Sequence, residues 1–138
     1  MFKEIVVAID GSVQSLRAAD RAIELAKISR AYVYVVYAVD STTSKADVLS
    51  TWNSLGITQE RKKKFKSVEQ CAEKEGVSYE VKIIRGEPAN AIVNFAQEVE
   101  ANLIVIGSRG LSQLQQLVLG SVSHKVLKRA TCPVLVIK

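Results

Sequence analysis

Three of the seven glycines and a serine stand in one short segment, Gly107, Gly110, Gly120 and Ser121, spaced G-x2-G-x9-G-[ST] within "GSRGLSQLQQLVLGSVS". Glycine lacks a Cβ, so backbone there can approach another group closely. The first amides of a helix that begins near Gly120, those of Ser121, Val122 and Ser123, have no intrahelical partner and lie at the positive end of its dipole. Such amides suit phosphate oxygens, and the hydroxyls of Ser121 and Ser123 stand beside them. A second feature ends the first apolar run: in "KEIVVAIDGS" the chain passes from β-branched residues into Asp10-Gly11-Ser12. A carboxylate opposite a glycine-rich loop suits a nucleotide, because it accepts hydrogen bonds from ribose hydroxyls while bare amides receive phosphate. Neither GxxxxGK[ST] nor GxGxxG is present, which excludes a Walker-type loop and a dinucleotide fingerprint. Taken singly, Gly107 and Gly110 also read as a strand-to-helix turn, and Gly120-Ser121 as a plain helix start.

Other chemistry is sparse. Cys71 and Cys132 are isolated and His124 is the only histidine, so a Cys/His zinc site is excluded. Both cysteines are expected to be reduced, with Cys132 packed beside the last strand. The net charge of +5 and pI near 9.3 admit an anionic partner. The densest basic run, "ERKKKFK" (60–66), reads as a solvated helix face: nucleic-acid binders add interleaved aromatics, and here only Phe65 is present. No apolar run approaches the ~20 residues that cross a bilayer, and Glu4 interrupts the stretch where a signal peptide would be apolar. A cytoplasmic protein without membrane or nucleic-acid partners is the expectation.

The elements that position these groups follow from two alternating periods. The 138 residues suit one domain over 1–138, with 48% hydrophobic and 24% charged residues. Strands are expected at 3–10, 31–39, 77–84, 102–107 and 133–138. The apolar runs imply burial on both faces, except at 77–84, whose alternation marks an edge. Helices are expected after Ser12, an N-cap, with Leu16, Ala19, Ile23 and Ala26 inward; from about 59 to 75, stopped by Gly76; after Pro88, with Ala89, Ile92, Val93, Ala96 and Val99 on one face; and from about 120 to 130. Residues 40–58, with the lone Trp52, read as an irregular loop. Alternating strands and helices imply right-handed crossovers and an α/β class fold, a three-layer α/β/α sandwich on a five-stranded, mainly parallel sheet. If the order is 3-2-1-4-5, strands one and four are neighbours at the switch point, and Asp10 faces the glycine loop across the crevice.

On these residues the chain resembles the universal stress protein family, whose nucleotide-binding members carry G-2x-G-9x-G-[ST] after the fourth strand. The resemblance spans nearly the whole chain, through "KEIVVAIDGS", "VVYAVD", "RGEPANAIVNFAQEVEANLIVIGSRG" and "GSVSHKVLKRATCPVLVIK". It implies an adenine-nucleotide α-hydrolase-like fold and binding of ATP, or of ADP or AMP. By position, Asp10 would hold the ribose or adenine side, and Ala8, Ile9, Ala38 and Val39 would line the adenine pocket. Ile106, Gly107, Arg109 and Gly110 would cover ribose and α-phosphate; Gly120, Ser121, Val122 and Ser123 would take the β- and γ-phosphates. Family members lacking the motif do not bind ATP.

The span "LSQLQQLVL" contains no Lys or Arg, so Arg109 is its nearest cation, facing either the nucleotide or solvent. Mg2+ or Mn2+ would then accompany a triphosphate, held by phosphate oxygens rather than protein side chains. Hydrolysis would need a group to orient water. Asp10 is assigned to the nucleoside end and His124 is expected to face solvent, so the expectation is a regulatory nucleotide switch in a stress response, with no catalytic residues. A slow ATPase of the same superfamily is the alternative. The family's last strand pairs with its copy across a two-fold axis, which implies a homodimer carried by Val134, Leu135, Val136 and Ile137.

Overall fold

The computed structural model describes residues 2–39, 57–108 and 120–138. Nine elements follow in order: β1 (Glu4–Ala8), α1 (Val13–Ser29), β2 (Tyr32–Val39), α2 (Ile57–Lys74), β3 (Tyr79–Arg85), α3 (Pro88–Glu98), β4 (Leu103–Gly107), α4 (Ser121–Arg129) and β5 (Val134–Ile137). All pairings are parallel and the sheet runs β3-β2-β1-β4-β5, with β1 set between β2 and β4 in the registers Val6↔Tyr34 and Val6↔Ile104. The expected α/β sandwich and strand order are therefore present. The helix expected from 59 begins two residues earlier, so Ile57 and Thr58 leave the irregular stretch; Trp52 lies outside the described residues.

The period of two inside each apolar run sorts side chains between the layers. Ile5, Val7 and Ile9 face α1 and α2, packing on Ala18, Ala19, Ala22, Ile23, Phe65 and Val68; Val6 and Ala8 face α3 and α4, packing on Ala89, Ile92, Val93 and Val126. Fully buried isoleucines such as Ile23 and Ile104 each contribute about 1.5–3 kcal/mol. The inward stripe of α1 is mostly alanine, which lets the helix lie close to the strands. Gln14 and Ser15 are buried with it, whereas Leu16, expected inside, is only partly covered. β3 forms the half-exposed edge anticipated from its alternation. The one aromatic of the basic run, Phe65, is 5% exposed and meets Tyr37 edge-on at 5.4 Å, so it anchors α2 rather than interleaving with exposed lysines. Cys71 and Cys132 pack against opposite faces of the sheet, and burial pushes both thiols up. Among the described residues no helix is long and apolar enough to cross a membrane.

Two helices close on a non-glycine residue in the left-handed conformation. Arg30 (φ 56) closes α1 and Glu100 (φ 53) closes the turn after α3, each followed by an amide that reaches back, Ala31 to the Ala26 carbonyl and Ala101 to that of Ala96. The left-handed conformation costs a side-chain-bearing residue roughly 1–2 kcal/mol, against roughly 0.5–1 kcal/mol of extra backbone entropy for glycine. Glu100→Gly is accordingly expected to raise stability by about 0.5 kcal/mol, read as a higher urea midpoint at unchanged slope.

Candidate functional site

The carboxyl ends of β1, β2 and β4 and the amino ends of α3 and α4 enclose a cavity of about 280 Å3. It lies where strand order reverses between β1 and β4, the position at which open α/β sheets receive ligands. Ala8, Ile9, Asp10, Ala38, Ile106, Gly107, Gly120, Ser121, Val122 and Ser123 all line it. Val39 ends β2 with its side chain outside the described part, and Arg109 and Gly110 fall outside the described residues.

Ser15, Pro88 and Ile92 also line the cavity and were not anticipated. Their signal was available in the topology: a crossover helix that enters the strand beside β1 must begin at the switch point. Pro88, and Ile92 one turn on, therefore face the crevice.

Asp10 is held by a small network. Its Oδ1 accepts the Ser12 amide at 2.8 Å and its own amide donates to Ser15 Oγ at 3.3 Å; Ser15 Oγ in turn donates to the Ser12 carbonyl at 2.9 Å. Ser12 caps α1 by accepting the Ser15 amide at 3.2 Å, as expected of an N-cap. Gly11 at φ 88 makes this turn possible, since a side chain is strained there. The carboxylate thus reaches the cavity wall with one oxygen already fixed in orientation.

Across the crevice two of the lining residues also make structural contacts. Gly107 lines the cavity, but its missing Cβ points away from it: a Cβ there would stand 2.9 Å from the Gln14 carbonyl carbon and 2.9 Å from the Gln14 Cβ. Close packing of α1 on β4 by itself requires glycine there. Ser123, 3% exposed, donates its hydroxyl proton to the Gly107 carbonyl at 2.5 Å, so that hydroxyl has no proton left to give a phosphate oxygen. The chain leaves β4 at Ser108 and returns at Gly120, whose amide donates to the Ser108 carbonyl at 2.7 Å.

The helix starts around this cavity are finished differently. Ser12 caps α1, and the Glu87 carboxylate caps α3 by accepting the Asn90 amide at 3.1 Å and the Ala89 amide at 3.4 Å. α4 begins at Gly120 with no side-chain cap, its first internal bond running from the His124 amide to the Gly120 carbonyl. Gly120 has φ −62 and ψ 159, angles open to any residue, so backbone conformation does not demand glycine there. The amides of Ser121, Val122 and Ser123 are left without a helical partner, at the cavity wall.

Glu87 also receives Arg129 at 3.4 Å and Lys125 at 3.6 Å from α4. The Asn90 amide, helped by the Ala89 amide and these two cations, holds its carboxyl below the ordinary value despite some desolvation. His124 is exposed. Among the described residues no group of three or more His, Cys, Asp or Glu could hold a metal ion.

Comparison with known proteins agrees with this architecture. The universal stress protein family model matches residues 1–138. The universal stress protein YxiE of Bacillus subtilis is 41% identical over 148 residues, covering 100% of both chains. A universal stress protein solved in complex with cAMP superposes with a TM-score of 0.76 at 31% identity, covering 99% of this chain and 97% of that one. The universal stress protein of Archaeoglobus fulgidus in complex with dAMP gives 0.73 at 31% identity, covering 99% and 98%. The chain belongs to the universal stress protein family.

The structural contacts of Gly107 and Ser123 are separable from ligand binding. Gly107→Ala is expected to cost about 1–3 kcal/mol through overpacking against Gln14. Ser123→Ala should cost about 1–3 kcal/mol by stranding a buried carbonyl. Both losses should appear in urea unfolding without any nucleotide; unfolding midpoints equal to wild type would show that these contacts are not what holds β4 to α1 and α4.

Proposed function

We propose that this chain is an adenine-nucleotide-binding member of the family, taking ATP, ADP or AMP in the switch-point cavity and acting as a nucleotide-dependent regulatory module. The observation that carries the reading is the uncapped start of α4: α1 and α3 are closed by Ser12 and Glu87, whereas α4 presents three amides beside Gly120 at the wall of a cavity that also contains Asp10. Amides at the positive end of a helix dipole favour an anion, and Ala8, Ile9, Ala38 and Ile92 offer an apolar slot for a base. The relatives solved with cAMP and dAMP support it, since both ligands pair adenine with one phosphate. Asp10 would accept from ribose, and Gly120 to Ser123 would hold phosphate through backbone N–H groups. Arg109 and Gly110 remain part of the proposal by position alone. When Mg2+ or Mn2+ is bound with a triphosphate, it would supply charge neutralisation between phosphates. Binding rather than turnover is favoured because His124 is exposed and Asp10 is committed to the Ser12 turn.

A saturating nucleotide should raise the melting temperature, corresponding to about 2.7 kcal/mol at a hundredfold excess over Kd. Gly120→Asp supplies the test. Aspartate is a favoured N-cap and Gly120 already has N-cap angles, so the carboxylate should occupy the same amides. The unliganded variant is expected to be as stable as wild type or a few tenths of a kcal/mol more so, and to lose the nucleotide-induced shift. A shift that survives Gly120→Asp would remove α4 from the site.

The second part of the proposal is a homodimer through β5. This strand is a sheet edge with Leu135 37% exposed, and the Pro133 and Ile137 carbonyls bond β4, so Val134 and Val136 turn their backbone groups outward. Val136→Pro removes one outward donor without touching a β4 bond. Sedimentation is expected to show a dimer for wild type and a monomer for the variant; a dimer that persists at equal affinity would place the interface elsewhere.

A further inference from the structure

We propose that Lys125 reads the length of the phosphate chain, leaving Glu87 for the phosphates beyond the first. The inference rests on the nucleotide reading above and adds to it a residue that distinguishes a polyphosphate from a monophosphate. Lys125 stands four residues after Ser121 on α4, hence on the same helical face. Helical side chains lean toward the amino end, so its stem lies back over the turn that presents the three amides.

Its Nζ is 3.6 Å from Glu87 Oε1, and Glu87 immediately precedes Pro88, which lines the cavity together with Ser121. The ammonium is therefore at the rim where the amino ends of α3 and α4 meet. The other two cations of α4, Lys128 and Arg129, lie in its last turn, and Arg129 is held by Asn90 Oδ1 at 2.6 Å as well as by Glu87.

The Lys125–Glu87 pair is built to be exchanged. It is the longest of Glu87's contacts, and both side chains are about two-fifths exposed, at 44% and 39%. A solvent-screened pair of this kind holds weakly. Glu87 keeps the Asn90 and Ala89 amides and Arg129 when the lysine departs, so the release leaves no stranded carboxylate. A flexible, compact ammonium suits a phosphate chain whose outer groups carry added negative charge. A single phosphate, as in AMP, is served by the α4 amides and does not need the lysine. Glu87 and the outer phosphates thus compete for one cation.

Calorimetric titration of AMP and ATP, in chelator-treated buffer so that no divalent ion masks the lysine, tests this on the full chain. Lys125→Ala is expected to weaken ATP about tenfold while leaving AMP within about twofold, and Lys125→Arg to recover most of the loss. Glu87→Gln, which keeps an amide-accepting oxygen for α3 but weakens the hold on Lys125, should strengthen ATP binding by about two- to threefold. Opposite signs for the two variants are the signature of competition. If the pair merely braced α3 against α4, both variants would weaken both nucleotides together, and that outcome overturns the assignment, as does ATP affinity indifferent to Lys125→Ala. Wild-type protein that binds neither AMP nor ATP overturns the nucleotide reading itself, and the assignment with it.

Discussion

The last residue of β4 is the point on which the site is hung. Gly107 receives the Gln14 backbone of α1 on the side where a Cβ would stand, 2.9 Å away. Its carbonyl takes the buried Ser123 hydroxyl at 2.5 Å, and its register partner is Ile137 of β5. One residue thus fixes the distance of α1 from the sheet, the angle at which α4 starts, and the end of the β4–β5 ladder. The Asp10-Gly11-Ser12 turn is carried in by α1, and the α4 amides by Ser123. The two walls of the cavity are therefore spaced by sterics and one short hydrogen bond, before any ligand is present. Preorganisation of this kind lowers what ordering the site costs on binding.

The two faces of the sheet divide the remaining work. On the α1 and α2 face, alanines on α1 bring helix backbone near the strands, and Phe65 and Val68 complete the layer from α2. On the other face α3 and α4 lean together, joined at the surface by Glu87, Asn90, Lys125 and Arg129. The cavity opens between their amino ends. A ligand there would meet the starts of both helices beside an exposed, charged seam, while the core beneath, where Val126 and Ile104 are fully buried, lies apart from it.

Much of this was legible in the chain. Strands buried on both faces appear as continuous β-branched runs, and the edge strand β3 betrays itself by alternation, while the order 3-2-1-4-5 comes with the family resemblance rather than from the periods. Ser12 at the start of α1 and Pro88 at the start of α3 are local signals and stand where local physics puts them. The contacts that were not legible share one cause. The reason for Gly107 is Gln14, on an element far away in sequence, and no period or spacing encodes that contact. Ser123 was assigned to phosphate from its place in the first turn, but the direction of a hydroxyl depends on which carbonyl the fold brings beside it. The contacts of Glu87 escaped because a glutamate before a proline looks like any surface residue until α4 brings Lys125 and Arg129 beside it.

What the site does chemically turns on the kind of group that would hold the phosphates. Backbone amides at a helix start grip a phosphate equally well before and during transfer, so they contribute affinity but little rate enhancement; only contacts that strengthen in the transition state accelerate a reaction. A hydrolase needs in addition a base or a water-positioning group opposite the leaving oxygen. Asp10 sits on the β1 side of the crevice with Oδ1 tied to Ser12, and His124 sits one turn into α4 in solvent. Helix-start amides, and a weak exposed ion pair beside them, are contacts that would favour the binding of an anion without distinguishing it from a transition state.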